Sequence, residues 1–542
     1  MQKVRYGKEA RQVLLSGVNG LADVVESTLG PSGHSVILDL ESGNPVATKD
    51  GVTIAKSIKL DDALANAGAQ MLKQASIKTA EEAGDGTTTA TVIARELYRE
   101  ASEAEKTLKR YNSVKVQQGM EYAAKKITEY IQHDEVRPIA GIDQLRQIAT
   151  ISANSDGQIG ELVASALDSV GSEGAVTIEE SKTGETYLDT VEGIQFKSGY
   201  KSPYFVTDND TMTAILDDAL IMLVDKKLTN IKELIPALDG VAASTKSLLI
   251  VAEDISGEVL STLILNKVRA GFKVCVVKAP EFGDKRKAAL EDIAILTGGT
   301  VISPDKGMRL DKFDPEWFGS AKKVTISRDD TTIIGADGDS EKISTRIDEI
   351  KAQIDNAKSM YDKEQLQTRL ARFAGGVAVM YVGGHTELEM KERKDRVDDA
   401  LHAAKAAVEE GICVGGGRTL YVASEKAFDE ESPSTDSSFN YGVKLVRSAC
   451  KKPFVAILRN AGWEDSNIED AVRVLLSKKD GVIDGSSGAV IDDAFEAGIV
   501  DPVKVVRLAL KNAVSVAGTM LTSEALVVNI PDKKDDEMPV MF

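Results

Sequence analysis

The sequence predicts a multidomain α/β protein in which both chain ends build one helical domain and an α/β domain is inserted between them. Three observations carry that prediction. At 542 residues the chain is too long for one ordinary hydrophobic core, and roughly two to four domains are expected. Apolar residues recur at helical spacing towards both ends. Between about 190 and 376 the apolar runs "ALIMLVD", "SLLIVAED", "KVCVVKAP" and "KVTISRD" alternate with helical stretches.

Each element follows from its local pattern. Residues 9–28 read as an amphipathic helix carrying Val13, Leu14, Val18, Leu21, Val24 and Val25, and it stops at "TLGPSG". "SVILDL" and "VTIAKSI" read as strands joined through "ESGNP" and "TKDG". Residues 61–83 and 88–104 read as helices on either side of "GDGTTT". Residues 113–180 are helix-rich, with "GAVTIEES" as a strand, and helices dominate again after "GGVAVMYVGG". No internal repeat or low-complexity tract is present.

Composition narrows the function classes. Hydrophobic content of 42% and charged content of 28% describe a soluble globular protein. Lys and Arg number 66 against 85 Asp and Glu, a net charge of −19, which argues against nucleic acid or an anionic membrane as partner. No apolar run reaches the roughly 18 residues of a membrane span, and "MQKVRYGKEARQ" lacks the apolar stretch of a secretory signal. Cys275, Cys413 and Cys450 are widely spaced and odd in number, as reduced thiols are. A cytoplasmic protein is expected.

The chemistry-bearing candidates are glycine-rich joints. In "AEEAGDGTTTATVIAREL" (80–97), Gly84 can end one helix and Thr87 or Thr88 can cap the next. Capping leaves a second glycine, Asp85 and two threonines unexplained. The alternative is phosphate held at a helix N-terminus, with Asp85 on the accompanying Mg²⁺. "TLGPSG" (28–33) and "TKDG" (48–51) are simple turns taken singly, their concentration with "GDGTTT" in the first 90 residues raises the phosphate reading, and "VGGGRTL" (414–420) is a fourth glycine-bearing joint. The three glycines of "VGGG" suggest something flat against the backbone. No P-loop pattern and no G-x-S-x-G occurs, and His34, His133, His385 and His402 are not spaced as ligand pairs. On "EMKERKDRVDDALHAAKAAVEEG", Met390, Val397, Leu401, Ala404 and Val408 form one stripe. Asp399 lies opposite, and position alone reads it as a solvated carboxylate. "SGYKSPYF", "NIKELIPAL" and "GEVLSTLILNKV" carry apolar stripes that serve either a core or a groove for partners.

Together these stretches resemble a known family. "GDGTTTATV", "TLGPSG", "ATKDGVTIAKSI", "TISANSD", "VEGIQFKSGYKSPYF", "VKAPEFGDKRKAALEDIAILTGG", "AGGVAVMYVGG", "VDDALHAAKAAVEEGICVGGG" and "AGIVDPVKV" are similar, in order from about residue 4 to 531, to the group I chaperonins of the GroEL type. The resemblance implies the chaperonin fold: a helical equatorial domain (1–133 and 410–542), an intermediate hinge domain (134–191 and 378–409) and an α/β apical domain (192–377). It implies an ATP-hydrolysing chaperone that captures non-native polypeptides and forms a homo-oligomeric, seven-fold ring, single or double, with a co-chaperonin lid as a further partner. ATP, Mg²⁺ and K⁺ are the implied cofactors.

The resemblance also implies residue roles. Thr28, Leu29, Gly30 and Pro31 lie along the phosphates and base, with Lys49 and Asp50 near the γ-phosphate. Asp85 ligates Mg²⁺, Gly86, Thr87, Thr88 and Thr89 meet phosphate oxygens, and Thr28, Lys49 and Thr88 hold K⁺. Gly416 faces the nucleoside, Asp501 the ribose, and Asp399 orients the attacking water, swinging in as the hinge closes. Tyr200, Tyr204, Phe205, Ile235, Leu238, Leu260, Ile264 and Leu265 form the polypeptide- and lid-binding surface.

Departures from the family pattern are equally specific. Gly485, Ser486 and Ser487 stand where the family has Asn-Ala-Ala near the adenine, and "KTLKRYNS" (106–113) replaces a Gly-Met-Asn-Pro stretch. Val455 replaces an inter-ring arginine, Lys201 an apolar residue, and the chain ends "DDEMPVMF" without a Gly-Gly-Met tail. This is the pattern of a divergent copy, such as one carried by a large bacteriophage, and it predicts weaker or rearranged ring stacking. A ring that binds proteins without productive hydrolysis and a metabolic ATPase are the rival readings.

Overall fold

A computed structural model describes residues 2–39, 45–103, 112–153, 156–171, 174–181, 183–209, 211–244, 246–357, 359–428, 433–476 and 478–529. Most of "KTLKRYNS" and the C-terminal "DDEMPVMF" lie outside the described residues. The chain folds into two compact units, Met1–Ala164 with Gly384–Phe542, and Ser165–Gly383.

The first unit is helical, and the two ends of the chain meet in it. Strand Gln2–Tyr6 pairs antiparallel with Ala525–Asn529. The helix Val503–Thr522 is its spine: 14 of its 20 residues are buried, a pattern that suits a helix packed on nearly every side. Ala63–Ala83, Thr87–Glu103 and Ser113–Tyr130 pack around it, Gly7–Glu26 packs on the first two of these, and all join one core that runs from Leu14 to Leu521. Helices Gly7–Glu26 and Ala63–Ala83 cross with their backbones touching. A Cβ on Gly17 would lie 1.7 Å from the carbonyl oxygen of Ala65, and one on Gly68 2.2 Å from that of Leu14.

"VTIAKSI" is a helix, Gly51–Ser57, and the expectation of a strand fails there. Its β-branched residues favour a strand locally. Asp50 decides otherwise by accepting from the amides of Val52 (3.1 Å) and Thr53 (2.8 Å), a side-chain cap that satisfies first-turn donors. The strand Val36–Leu38 pairs instead with Val46–Thr48.

The second unit is α/β. Its seven-stranded sheet runs in the order Gly193–Phe196, Thr331–Ala336, Gly319–Ile326, Ala214–Leu228, Ser247–Ile255, Val274–Lys278, and Val301–Ile302 pairs with Ala214–Leu228. The last three strands of the order are parallel, and helices Ile231–Ser244 and Gly257–Ala270 connect them as crossovers. A three-stranded sheet holds Val377–Val382 between Ala175–Glu180 and Tyr187–Val191. Buried Cys275, Cys413 and Cys450 are free thiols.

The helix crossing can be tested with a pair of variants. Gly68→Ala must push Leu14 away and should destabilise the protein by about 2 kcal/mol or more. Gly20→Ala meets only the end of Leu60 at 3.5 Å and should be neutral or slightly stabilising. Denaturant unfolding of both variants checks this, and equal midpoints would contradict the close backbone approach.

Candidate functional site

The site is built on the joint between Ala63–Ala83 and Thr87–Glu103. The first helix ends at Gly84, whose φ of 75° is left-handed and whose amide donates to the carbonyl oxygen of Ala80. Capping alone does not require glycine so strictly. A Cβ at Gly84 would lie 2.1 Å from the Cβ of His402, because Glu387–Glu410 presses directly on this turn. The second helix opens at Thr87, so the first-turn amides of Thr87, Thr88 and Thr89 have no partners within the helix.

Asp85 sits between the two helices with both carboxylate oxygens engaged. Oδ1 accepts from the Gly86 amide, and Oδ2 accepts from the Ser152 hydroxyl at 2.8 Å. Burial raises its pKa, against those two hydrogen bonds, and Asp50 adds to the rise. The turn carrying Asp50 packs on the threonines: a Cβ on Gly51 would lie 2.4 Å from Oγ1 of Thr88 and 2.8 Å from Oγ1 of Thr87.

Asp50, Asp85, Asp398 and Asp399 line one cavity of about 150 Å³ with Val52, Ala80, Gly84, Thr87 and His402. No lysine or arginine is among these lining residues. Asp399 is not a solvated carboxylate, contrary to what its place on the helical wheel suggests. Glu387–Glu410 packs against Ile142–Ser152 and Val503–Thr522 and buries Ala400, Ala403, Ala406 and Ala407 besides Val397, Leu401 and Ala404. Burial first, then Asp85 and Asp50, holds the Asp399 carboxyl well above the usual range. Asp395 rises to about 6. Part of its side chain reaches water, but burial of the remainder, then Asp50, disfavours its charge.

Thr28, Leu29, Gly30, Pro31, Lys49, Gly416 and Asp501 belong to the same unit but are not among the residues lining this cavity. The Thr28 hydroxyl donates to the carbonyl oxygen of Val25 (2.8 Å), which commits its proton and leaves its lone pairs and the Thr28 carbonyl oxygen as the available acceptors. The Asn460 amide donates to the carbonyl oxygens of Glu26 and Leu29, both at 2.9 Å, and fixes the path into Gly30 and Pro31. The Ser32 hydroxyl donates to the Gly485 carbonyl oxygen at 3.1 Å. Ser486 and Ser487 turn their hydroxyls onto Asp484 in their own turn. Lys49 is half-buried, as are Thr88 and Thr89.

The glycines of "VGGG" have mostly internal reasons. A Cβ at Gly415 would crowd Val500 N (3.0 Å) and Asp501 Oδ1 (3.1 Å), and one at Gly417 the Phe454 amide nitrogen (2.7 Å). Gly416 is left-handed at φ 65°, with nothing nearer its Cβ position than 3.5 Å. Asp501 lies on the strand Val500–Pro502, opposite Cys413, and burial, then Asp85, raises its pKa to about 7.

In the α/β unit the apolar stripes divide into two faces. Leu234, Ala237 and Val241, with Val259 and Leu263, enter the core. Ile235 and Leu265 are each 46% exposed and Tyr204 71%, while Tyr200, Leu238, Leu260 and Ile264 are half-buried. Phe205 corrects the expectation: it is fully buried and anchors its segment from within the core. Val268, 69% exposed, extends the outer face, and no sequence motif marks it. Lys201 reaches Asp254 (3.1 Å), and the Lys201 hydrogen bond holds that carboxyl down at about 2.

Reasoning from sequence also misses Ser152, Asp398 and His402. Ser152 stands inside "TISANSD" and His402 inside "DALHAAK", but nothing local ties either to Asp85. Val455 packs half-buried against the cluster of Phe454, Leu458 and Trp463.

A model of the TCP-1/cpn60 chaperonin family matches residues 21–531. The chain belongs to that family. Chaperonins of this family are ATPases that bind ATP with Mg²⁺, bind non-native polypeptides and form ring oligomers. No helix among the described residues of this chaperonin chain is long and apolar enough to cross a membrane.

The raised Asp501 has a measurable consequence. Its folded state favours the protonated acid, so between about pH 4 and about 7 it binds more protons than the unfolded chain. Stability is therefore lost as pH rises through that window. Asp501→Asn removes the loss, and its gain in Tm without nucleotide should be larger at pH 8 than at pH 5. A pH-independent change would show that Asp501 ionises freely in the fold.

Proposed function

We propose that this chaperonin is an ATP-driven folding chaperone of the group I type, working as a seven-fold ring. The observation that carries the ATPase reading is the cavity where Asp50, Asp85 and Asp399 converge beside the first turn of Thr87–Glu103 with no lysine or arginine in its lining. Carboxylates gathered in partly buried space favour a cation. No group of three or more His, Cys, Asp or Glu among the described residues forms a metal cage. That donor set fits Mg²⁺ carried in by phosphate and touching one carboxylate, with water completing its shell.

The amides and hydroxyls of Thr87, Thr88 and Thr89 would hold phosphate oxygens at the positive end of their helix, beside Gly86. Asp85, kept in orientation by Ser152, would hold Mg²⁺, which neutralises charge on the transferring phosphoryl group. Backbone oxygens of Thr28 and Lys49, with the Thr88 hydroxyl, would hold K⁺; the close approach of Gly51 to Thr88 supports that grouping. Leu29, Gly30, Pro31 and Gly416 would border the nucleoside and Asp501 the ribose. Asp399 would orient water and take up its proton, since a carboxylate with a raised pKa is the better base. Asp50 would share that role near the γ-phosphate.

Non-native polypeptide would be captured on Tyr200, Tyr204, Ile235, Leu238, Leu260, Ile264 and Leu265, and released into a ring cavity as ATP drives the hinge domain (134–191 and 378–409) between equatorial and apical domains. A co-chaperonin lid would compete for the same surface. The half-buried, uncharged Val455 supports altered contacts between rings, with single rings populated in the cycle.

Asp399→Ala should lower steady-state hydrolysis by about two orders of magnitude or more while nucleotide affinity stays within a few-fold. Hydrolysis within a few-fold of the parent would return Asp399 to a structural role. Tyr204→Ser and Leu265→Ser should weaken capture of an unfolded protein without changing thermal stability. Phe205→Ser should instead destabilise by about 3 kcal/mol or more, as a polar swap in a core does. Unfolding of the first two variants at ambient temperature would make their stripe a core.

A further inference from the structure

Beyond the exposed Glu258 of its first turn, the helix Gly257–Ala270 carries charge of one sign. From Val259 to Lys273 the chain has Lys267, Arg269 and Lys273 and no Asp or Glu. The protein as a whole is −19, so this stretch opposes its average. Arg269 and Lys273 are exposed, and Arg269 follows Val268 and lies one turn beyond Leu265. The Lys267 ammonium donates to the carbonyl oxygens of Tyr204 (2.9 Å) and Val206 (2.8 Å) and ties the Tyr204 turn to this helix. Those partners are neutral and leave its charge uncompensated, while burial lowers its pKa. The nearest downstream carboxylate of that turn, Asp208, accepts from the Thr211 amide within its own loop.

Tyr204, Leu265 and Val268 are therefore exposed apolar residues on and beside a helix whose last turn carries Lys267 and Arg269, with Lys273 following in the chain. We propose that this patch selects polypeptide segments in which apolar side chains are flanked by Asp or Glu. The proposal rests on the capture surface proposed above and names the chemistry of its preferred occupant. Apolar contact supplies the attraction for any unfolded segment. Lys267, Arg269 and Lys273 add a preference that salt removes, because exposed charges interact weakly and are screened within a few ångströms at high ionic strength. On a chain of −19, the patch also draws acidic segments that the remaining surface repels.

The test uses the full-length protein and three fluorescent peptides sharing one leucine-rich centre, flanked by glutamates, serines or lysines. Fluorescence anisotropy at low salt should rank glutamate above serine above lysine, with roughly a five- to tenfold step from serine to glutamate. The order should collapse at about 1 M salt, where the Debye length is about 3 Å. It should also collapse in Arg269→Gln/Lys273→Gln, whose affinity for the serine peptide serves as the reference. Equal binding of all three peptides, abolished by Leu265→Ser, would overturn the charge preference and leave the capture surface standing. Binding of none, or binding indifferent to Leu265→Ser, would overturn both. A preference for glutamate that survives the double substitution would place the selecting charges elsewhere and overturn this assignment.

Discussion

The close approach of Glu387–Glu410 to the turn after Ala83 governs the rest of the site. His402 lies where any side chain at residue 84 would have to go. Glycine there lets a helix from the second half of the chain press on a loop from the first. That approach brings Asp398 and Asp399 to the rim of the cavity holding Asp50 and Asp85. Without it, these carboxylates belong to distant parts of the chain and each can face water.

Concentrating carboxylates has an electrostatic consequence. Asp85, Asp399, Asp395 and Asp501 all have raised pKa values, and burial is the leading cause in every case. Such a site is destabilising while it lacks counter-charge. The fold tolerates the cost because the helices around the cavity are held by apolar packing on the spine Val503–Thr522. The function proposed for these residues and the stability of the fold would thus pull in opposite directions.

The α/β unit separates those demands. Its crossover helices commit one face to the core through Leu234, Ala237, Val259 and Leu263, and leave the other apolar face in water. Exposed apolar residues are commonplace when scattered, but here they lie on two neighbouring helices and the Tyr204 turn that Lys267 fastens to one of them. Fastening through backbone carbonyls keeps the turn in place without consuming the lysine's charge.

Much of this is legible in the sequence. The helical ends follow from a period of 3.6 residues, and the strands "ALIMLVD", "SLLIVAED" and "KVCVVKAP" of the inserted α/β region follow from short continuous apolar runs buried on both faces, which are local properties. The glycine-rich joints are legible for the same reason: left-handed turns and helix starts are written in adjacent residues. "VTIAKSI" misleads because a cap from Asp50 outweighs β-branched propensity. Phe205 misleads because its aromatic neighbours Tyr200 and Tyr204 give no sign of which ring turns inward. Ser152, Asp398 and His402 carry no local signal at all. Sequence by itself therefore determined most element types and the insertion of an α/β region between helical ends. Only the tertiary structure decided which carboxylates share a cavity and which apolar face stays in water, because burial and charge proximity depend on packing between residues far apart in the chain.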